Sequence, residues 1–350
     1  IISSKIYKIF GYSSFSEAGQ AFESFTISTV SCLSEIIAYA FFGFKYFIGS
    51  FIIYIVLYRI FAHIKEHRRM FCLFIIIFNI LQWLFAPYII DMMYKVRPAN
   101  EYRESWLIDI VNRIAVASGL KKTPRVMIAE IDVPNAFAYG SPITGPKVAV
   151  TRRALEILNK EELEAVIAHE LGHIKHKDMT VMMIISIIPA IMYWLGIMLM
   201  RYGMFASAFR SRDREGGAPI LILVGLGLAA LSFIFNLFVL WFSRMREYYA
   251  DTHAAYSVNN GALKLQRALA KILVDTGFLA RRGFRIDRYG TLKAIFIADP
   301  DHRIMARGYI NIDRVIAEIK SLKVSIWDEI FSTHPHPAKR FRFLDQLIGI

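Results

Sequence analysis

Hydrophobic and polar positions alternate along this chain in long blocks rather than at short intervals. Residues 70–90, 179–200 and 216–243 contain no charged side chain, and the last block is strongly apolar from Ile220 onward. A membrane-spanning helix takes about 20 mostly apolar residues, so each block predicts one span, at about 70–90, 179–200 and 220–241. An earlier block, 25–58, is apolar but interrupted by Glu35 and Lys45. Its best span is 37–58, with Lys45 facing protein or snorkelling, because intramembrane charge is costly. The alternative is an interfacial helix over 25–44.

Two polar segments, 95–178 and 244–350, flank the last pair of spans. If both spans cross fully, the segments lie on one side and can build a single soluble domain split by a hairpin. The chain then divides into an N-terminal membrane region (1–94), a first domain half (95–178), a transmembrane hairpin (179–243) and a second half (244–350). "PRVMIAEI" and "KVAVT" read as short β-rich runs bounded by Pro and Gly. "NKEELEAVIAHELGHIKHKD" reads as a helix, with Asn159 as N-cap and Glu162 completing a capping box. Leu163, Val166, Ile167, Leu171 and Ile174 recur at helical spacing, and the helix is expected to run on toward the third span. The soluble part is therefore α+β. No internal repeat is evident, which counts against a repeat-built transporter.

Composition agrees with the membrane class: 55% of the 350 residues are hydrophobic and mean hydropathy is +0.40. The formal charge of +13, in so apolar a chain, points to anionic headgroups of a lipid bilayer and not to nucleic acid. The basic run "RRGFRIDRYG" (281–290) reads the same way. Cys32 and Cys72 both lie in apolar stretches without metal-ligand spacing, so no disulfide framework is expected.

The chemistry gathers in "AVIAHELGHIKHKD". On a helix, His169 and His173 share one face a turn apart, close enough to reach one zinc ion at about 2.0–2.1 Å. Glu170 stays beside such a metal and can take a proton from a water that the metal activates. Gly172 leaves room for a closely packed segment. The bland alternative is two surface histidines on a polar face. A catalytic zinc needs a third protein ligand and an open position. In "SRMREYYADTHAAY", Glu247 can ligate and Asp251, four residues on, can hold the free nitrogen of a ligand histidine. His253 is a rival third ligand, and a solvated charge cluster is the rival reading of the segment.

These motifs, with "NAFAYG", "VAVTRRALEILNKEELEAVIAHELGHIKHKD" and "STHPHPAKR" in the same order, resemble the HtpX-type integral-membrane zinc metallopeptidases, relatives of the CAAX prenyl-protein endopeptidases. The resemblance covers about residues 95–350. It implies a multi-pass α-helical membrane protein whose α+β, gluzincin-like metallopeptidase domain is split by a transmembrane hairpin. It implies one zinc per chain on His169, His173 and Glu247, with Glu170 as general base. "NAFAYG" alone could be a core strand. The resemblance suggests that Asn135, Ala136, Phe137 and Ala138 edge the cleft and pair with an extended substrate. It also selects His334, as a donor to the developing oxyanion, and Arg340, as an anchor or a substrate contact; His336 is incidental to the pattern.

The expected activity is hydrolysis of peptide bonds in misfolded or damaged membrane proteins or other unfolded segments presented near the bilayer. Prenyl-protein processing is a second reading, disfavoured by the small number of spans. A non-catalytic scaffold with structural zinc, closed by His253 or His334 as fourth ligand, is a third. Topology is contested within the chain. The resemblance puts the catalytic domain in the cytoplasm, at the cell membrane, although the short basic turns 63–69 and 201–217 would then lie outside.

Overall fold

The computed structural model describes residues 68–208, 217–281, 311–325 and 329–349. All belong to one compact unit. The expected span at 37–58, its interfacial alternative at 25–44, and all but the first residue of the basic run at 281–290 lie outside the described residues.

The elements in chain order are α1 (Arg68–Met93), β1 (Val96–Pro98), α2 (Ser105–Ala117), β2 (Arg125–Ala129), β3 (Ala136–Ser141), β4 (Gly145–Thr151), α3 (Arg152–Ile157), α4 (Lys160–Lys175), α5 (Asp178–Ala208), α6 (Gly217–Ser257), α7 (Gly261–Arg281), α8 (Ile312–Ser321) and α9 (Pro337–Gln346). The four strands form one sheet in the order β1-β2-β4-β3. β2 runs parallel to β4, and the two outer pairs are antiparallel.

The register of β3 decides which way its backbone faces. Thr151 N–H donates to the Asn135 carbonyl at 2.9 Å, and Asn135 N–H donates to Thr151 Oγ1 at 2.9 Å. Asn135 thus bonds inward, and alternation along an antiparallel ladder sends Phe137 and Tyr139 the same way. Ala136, Ala138 and Gly140 point their N–H and C=O groups outward. Gly140 sits opposite Pro146, which has no N–H to offer the ladder. "NAFAYG" is thus an edge strand and a buried one together: Phe137 packs its ring against Tyr94 and Tyr139, at centroid separations of 5.1 and 5.4 Å. Asp91 near the end of α1 ties this edge down, accepting from Tyr139 Oη and Lys147 Nζ, both at 2.6 Å.

α4 is the central helix, buried from Glu162 to Gly172 apart from Glu164. The predicted capping box is present: Asn159 accepts from Glu162 N and Glu162 accepts from Asn159 N. One hydrophobic core joins residues from both sides of the α5–α6 pair, from Leu107 and Val148 through Leu171 to Leu269 and Phe341. Burial of each such large side chain stabilises by about 1.5–3 kcal/mol. In one respect the helix departs from expectation. It does not run on into the third span but ends at Lys175, and Lys177 takes a left-handed backbone with φ of 54°.

α5 and α6 each contain a stretch long and apolar enough to cross a membrane, Asp178–Met204 and Pro219–Ser257. Outward-facing Leu223, Ile234, Phe238 and Trp241 leave an apolar exterior. The helices run antiparallel: Gly196 meets Gly225 and Ala229, while Met200 meets Gly225. At 41 residues, α6 is about 60 Å long, against a hydrocarbon core of about 30 Å. Its C-terminal part therefore extends well beyond any bilayer that its apolar part crosses.

A Cβ built on Gly225 would lie 2.5 Å from the Gly196 carbonyl oxygen, whereas one on Gly227 meets nothing within 4 Å. Gly225→Val should therefore separate the helices and lower the thermal unfolding temperature in detergent, while Gly227→Val leaves it within about a degree, as exposed sites usually do. Equal behaviour of the two variants would contradict this packing.

Candidate metal centre

α4 and α6 cross at Gly172. A Cβ there would lie 3.1 Å from His253 Cβ and 3.2 Å from Ala250 Cα, so the missing side chain lets the helices approach. That contact brings Glu247, a turn earlier on α6, to the histidine face of α4.

Three donor side chains converge. His169 Nε2 and His173 Nε2 are 3.2 Å apart. Glu247 Oε2 lies 3.6 Å from the first, and Oε1 lies 3.6 Å from the second. Tetrahedral zinc with bonds of about 2.0–2.1 Å separates its ligand atoms by about 3.3–3.4 Å. The observed spacing fits that demand with little adjustment. Glu247 Oε2 is buried, with His334 Nδ1 at 3.3 Å and Arg340 Nη1 at 3.5 Å as its other near neighbours, so the carboxylate is held among positive and hydrogen-bonding groups.

Each histidine is held from behind. His169 Nδ1 lies 2.9 Å from Asp251 Oδ1, and Arg340 clamps Asp251 through Nε at 2.7 Å and Nη2 at 2.6 Å. His173 Nδ1 lies 2.6 Å from Asp178 Oδ2, which Arg246 Nη2 reaches at 2.6 Å. A carboxylate on Nδ1 leaves the Nε2 lone pair directed at the metal position. Of the two roles open to Arg340 in the sequence, the structure displays the ion pair: its side chain is 3% exposed.

Glu170 is buried beside the cluster, and its Oε2 accepts from Ala138 N–H of the β3 edge at 2.8 Å. Burial, the largest influence, raises its carboxyl above the ordinary range, against the pull of His173 and His169. Burial also pushes His173 down to about 4. In His169, burial and the Arg340 charge lower the pKa, but hydrogen bonds to Asp251 and Glu247 outweigh them and hold it at about 9. A proton and a cation thus compete for this imidazole.

His334 is buried next to Glu247, with Nδ1 3.3 Å from Oε2, but does not join the three-donor group. Its backbone is fixed by Ser332, whose hydroxyl donates to the His334 carbonyl at 2.9 Å and accepts from its N–H at 3.2 Å. Arg244 of α6 secures the segment by donating to the carbonyls of Glu329 and Ser332. His336 caps α9, its Nδ1 accepting from Ala338 N. His253, the rival ligand, faces away: its Nε2 is 2.9 Å from Ser118 Oγ. Of the strand positions assigned to substrate, Ala136 and Ala138 present their backbone outward, whereas Asn135 and Phe137 bond into the sheet. Asp178, Arg246 and Arg244 entered none of the sequence assignments, although Asp178 ends the very run in which the histidines lie.

A family model described as peptidase family M48 matches residues 101–348. The chain belongs to peptidase family M48. Among M48 relatives, a protease HtpX homolog of Thermoplasma acidophilum is 39% identical over 308 residues, spanning 86% of this chain and 92% of that one. Another from Aeropyrum pernix is 40% identical over 268 residues, 77% and 82% of the two chains. The crystal structure of S. mikatae Ste24p shares the fold at a TM-score of 0.52 and 17% identity, covering 93% of this chain and 67% of that one. M48 peptidases are zinc metalloproteases, and the His169–His173–Glu247 group suits that metal in donor type and spacing.

Binding of a metal ion must displace the His169 proton. Zinc affinity, measured by competition with a chelator, should rise about tenfold per pH unit from pH 7 and level off near pH 9, the value of His169. A flat profile over that range would remove His169 from the ligand set or its proton from the competition.

Proposed function

We propose that the chain is an integral-membrane zinc endopeptidase in which His169, His173 and Glu247 hold one zinc per chain and Glu170 is the general base. The observation that carries this reading is the 3.2–3.6 Å convergence of three donors beside a buried carboxylate that touches the sheet's edge. Zinc, when bound there, polarises the scissile carbonyl and makes water nucleophilic near neutral pH.

The remaining steps belong to side chains and backbone of this chain. The outward face of β3 receives an extended polypeptide by strand addition, with Ala136 supplying its N–H and carbonyl, Ala138 its carbonyl alone because its N–H is taken by Glu170, and Asn135 and Phe137 fixing the strand. Glu170, bonded to Ala138 N–H, is at a set distance from a peptide lying on that edge. It takes the proton of the attacking water and returns it to the leaving amine. Its raised pKa suits both duties. His334 donates to the oxygen on which charge develops. Arg340 keeps Asp251, and through it His169, in place.

The absence of a fourth protein donor among the described residues supports an open, catalytic site over a closed, structural one. α6 carries both the apolar stretch and Glu247. Glu247 lies four residues past Ser243, the last of the uncharged run, which is about 6 Å along the helix. This placement supports the split-domain organisation, 95–178 with 244–350 around the hairpin 179–243. It also supports membrane-protein or unfolded segments near the bilayer as substrates, and cleavage of damaged membrane proteins as the role. The catalytic domain is assigned to the cytoplasmic side of the cell membrane. A single cysteine placed at Ser332, with Cys32 and Cys72 replaced, should resist an impermeant thiol reagent in intact cells and react after permeabilisation. Reaction in intact cells reverses the orientation.

Glu170→Gln should keep its zinc and lose about 10²–10⁴-fold of its turnover on an unfolded protein substrate. His334→Ala should keep zinc and lose about a hundredfold in turnover, more than in substrate binding. Glu247→Ala should lose the metal. Full activity in Glu170→Gln would refute the assignment of the base, and loss of zinc in His334→Ala would make His334 a ligand.

A further inference from the structure

The turn between the metal helix and the first hairpin helix performs a task that neither helix could perform alone. In one continuous helix, residues five apart are rotated by about 140° and face different directions. Asp178 lies five residues after His173, yet its Oδ2 is 2.6 Å from His173 Nδ1. The break at Lys177 makes this contact. His176 N–H still bonds to the Gly172 carbonyl and Lys177 N–H to that of Ile174. Lys177 then enters the left-handed region, and the N–H groups of Thr180 and Val181 both return to its carbonyl. Asp178 becomes the first residue of α5, its carboxylate folded back onto the ligand histidine.

A lysine has no intrinsic reason to adopt that backbone conformation. Such strain persists where surrounding contacts enforce it. Here the enforcing contact comes from α6: Arg246 binds Asp178 twice, Nη2 to Oδ2 at 2.6 Å and Nη1 to the backbone carbonyl at 2.6 Å. The pair is enclosed, with side chains 12% and 6% exposed. It repeats the Arg340–Asp251–His169 arrangement on the other ligand, built from different elements.

We propose that Asp178 is a positioning residue for the ligand His173, set by the left-handed turn at Lys177 and held by Arg246 across the base of the α5–α6 hairpin. The inference rests on the zinc reading of the cluster. By accepting from Nδ1–H, the carboxylate orients the ring and makes Nε2 a better donor. Loss of such a partner typically weakens metal binding about 10–100-fold. Through Arg246, the seating of the two hairpin helices on each other also governs one of the three metal donors.

The test compares full-length wild type with Asp178→Ala, Asp178→Asn, Lys177→Gly and Lys177→Val in detergent. Three readouts are taken: zinc affinity by chelator competition, visible absorption of the cobalt(II)-substituted protein, and thermal unfolding without metal. Asp178→Ala should weaken zinc about 10–100-fold and alter the cobalt spectrum. Asp178→Asn, whose amide oxygen can still accept from Nδ1–H, should recover part of that loss. Lys177→Gly, at ease with positive φ, should match wild type, and Lys177→Val should weaken zinc. Affinity within twofold of wild type and an unchanged cobalt spectrum in the Asp178 variants overturn the proposal, whatever the unfolding temperature. If the alanine variant does not fold, the asparagine variant decides by the same criterion. A wild type that binds no zinc overturns the metal reading and this inference with it.

Discussion

The site is governed by a charge balance in a place that water barely reaches. Glu170, Asp178, Glu247 and Asp251 are all buried, and Arg340 and the largely enclosed Arg246 accompany them. Burying unpaired charge is very costly, and proteins avoid it by pairing, by shifting pKa values or by binding metals. Two guanidiniums against four carboxylates leave two negative charges, which one divalent cation cancels. The raised pKa of His169 expresses the same imbalance, because the carboxylates draw a proton onto that imidazole. A metal ion held in the cluster would supply the positive charge that the two guanidiniums leave wanting.

This balance depends on helices that serve two purposes. α6 is a single helix from its apolar stretch to Asp251 and beyond, so Glu247 and Asp251 take their position from the same rod that packs against α5. Gly172 and Gly225 mark close approaches of that rod, to α4 and to α5 respectively. The sheet supplies the third fixed part: its outer strand donates Ala138 N–H to Glu170 and is anchored from behind through Asp91. The His169–His173–Glu247 cluster, Glu170 and the outer strand edge are therefore held by three elements that share one core.

How much of this could be read in the sequence followed the range of each interaction. The His169–Glu170–His173 face and the Asn159–Glu162 capping box depend on helical spacing of three and four residues, which periodicity exposes. Glu247 and Asp251 also share a helix face, and donor type and spacing made them candidates, but their meeting with α4 spans a gap in sequence that spacing cannot bridge; family resemblance chose Glu247 over His253. Asp178 escaped because five-residue spacing carries no signal on a helix, and its contact exists only after Lys177 turns left-handed. The expectation of an unbroken helix there had the same origin, since lysine does not advertise such a turn as glycine would. Phe137 and Asn135 were legible as strand residues, but the direction of their backbone groups depends on register against β4, fixed by the Asn135–Thr151 pair.

The central claim, that this cluster is an open zinc site made by two histidines and a carboxylate, is tested most directly by zinc K-edge X-ray absorption on the purified protein. The account predicts a four-coordinate first shell with two imidazoles at about 2.0–2.1 Å and oxygen donors completing it. A shell with three imidazoles would bring in His253 or His334 and contradict Glu247 as the third protein ligand, and a shell without imidazole scattering would contradict the site altogether.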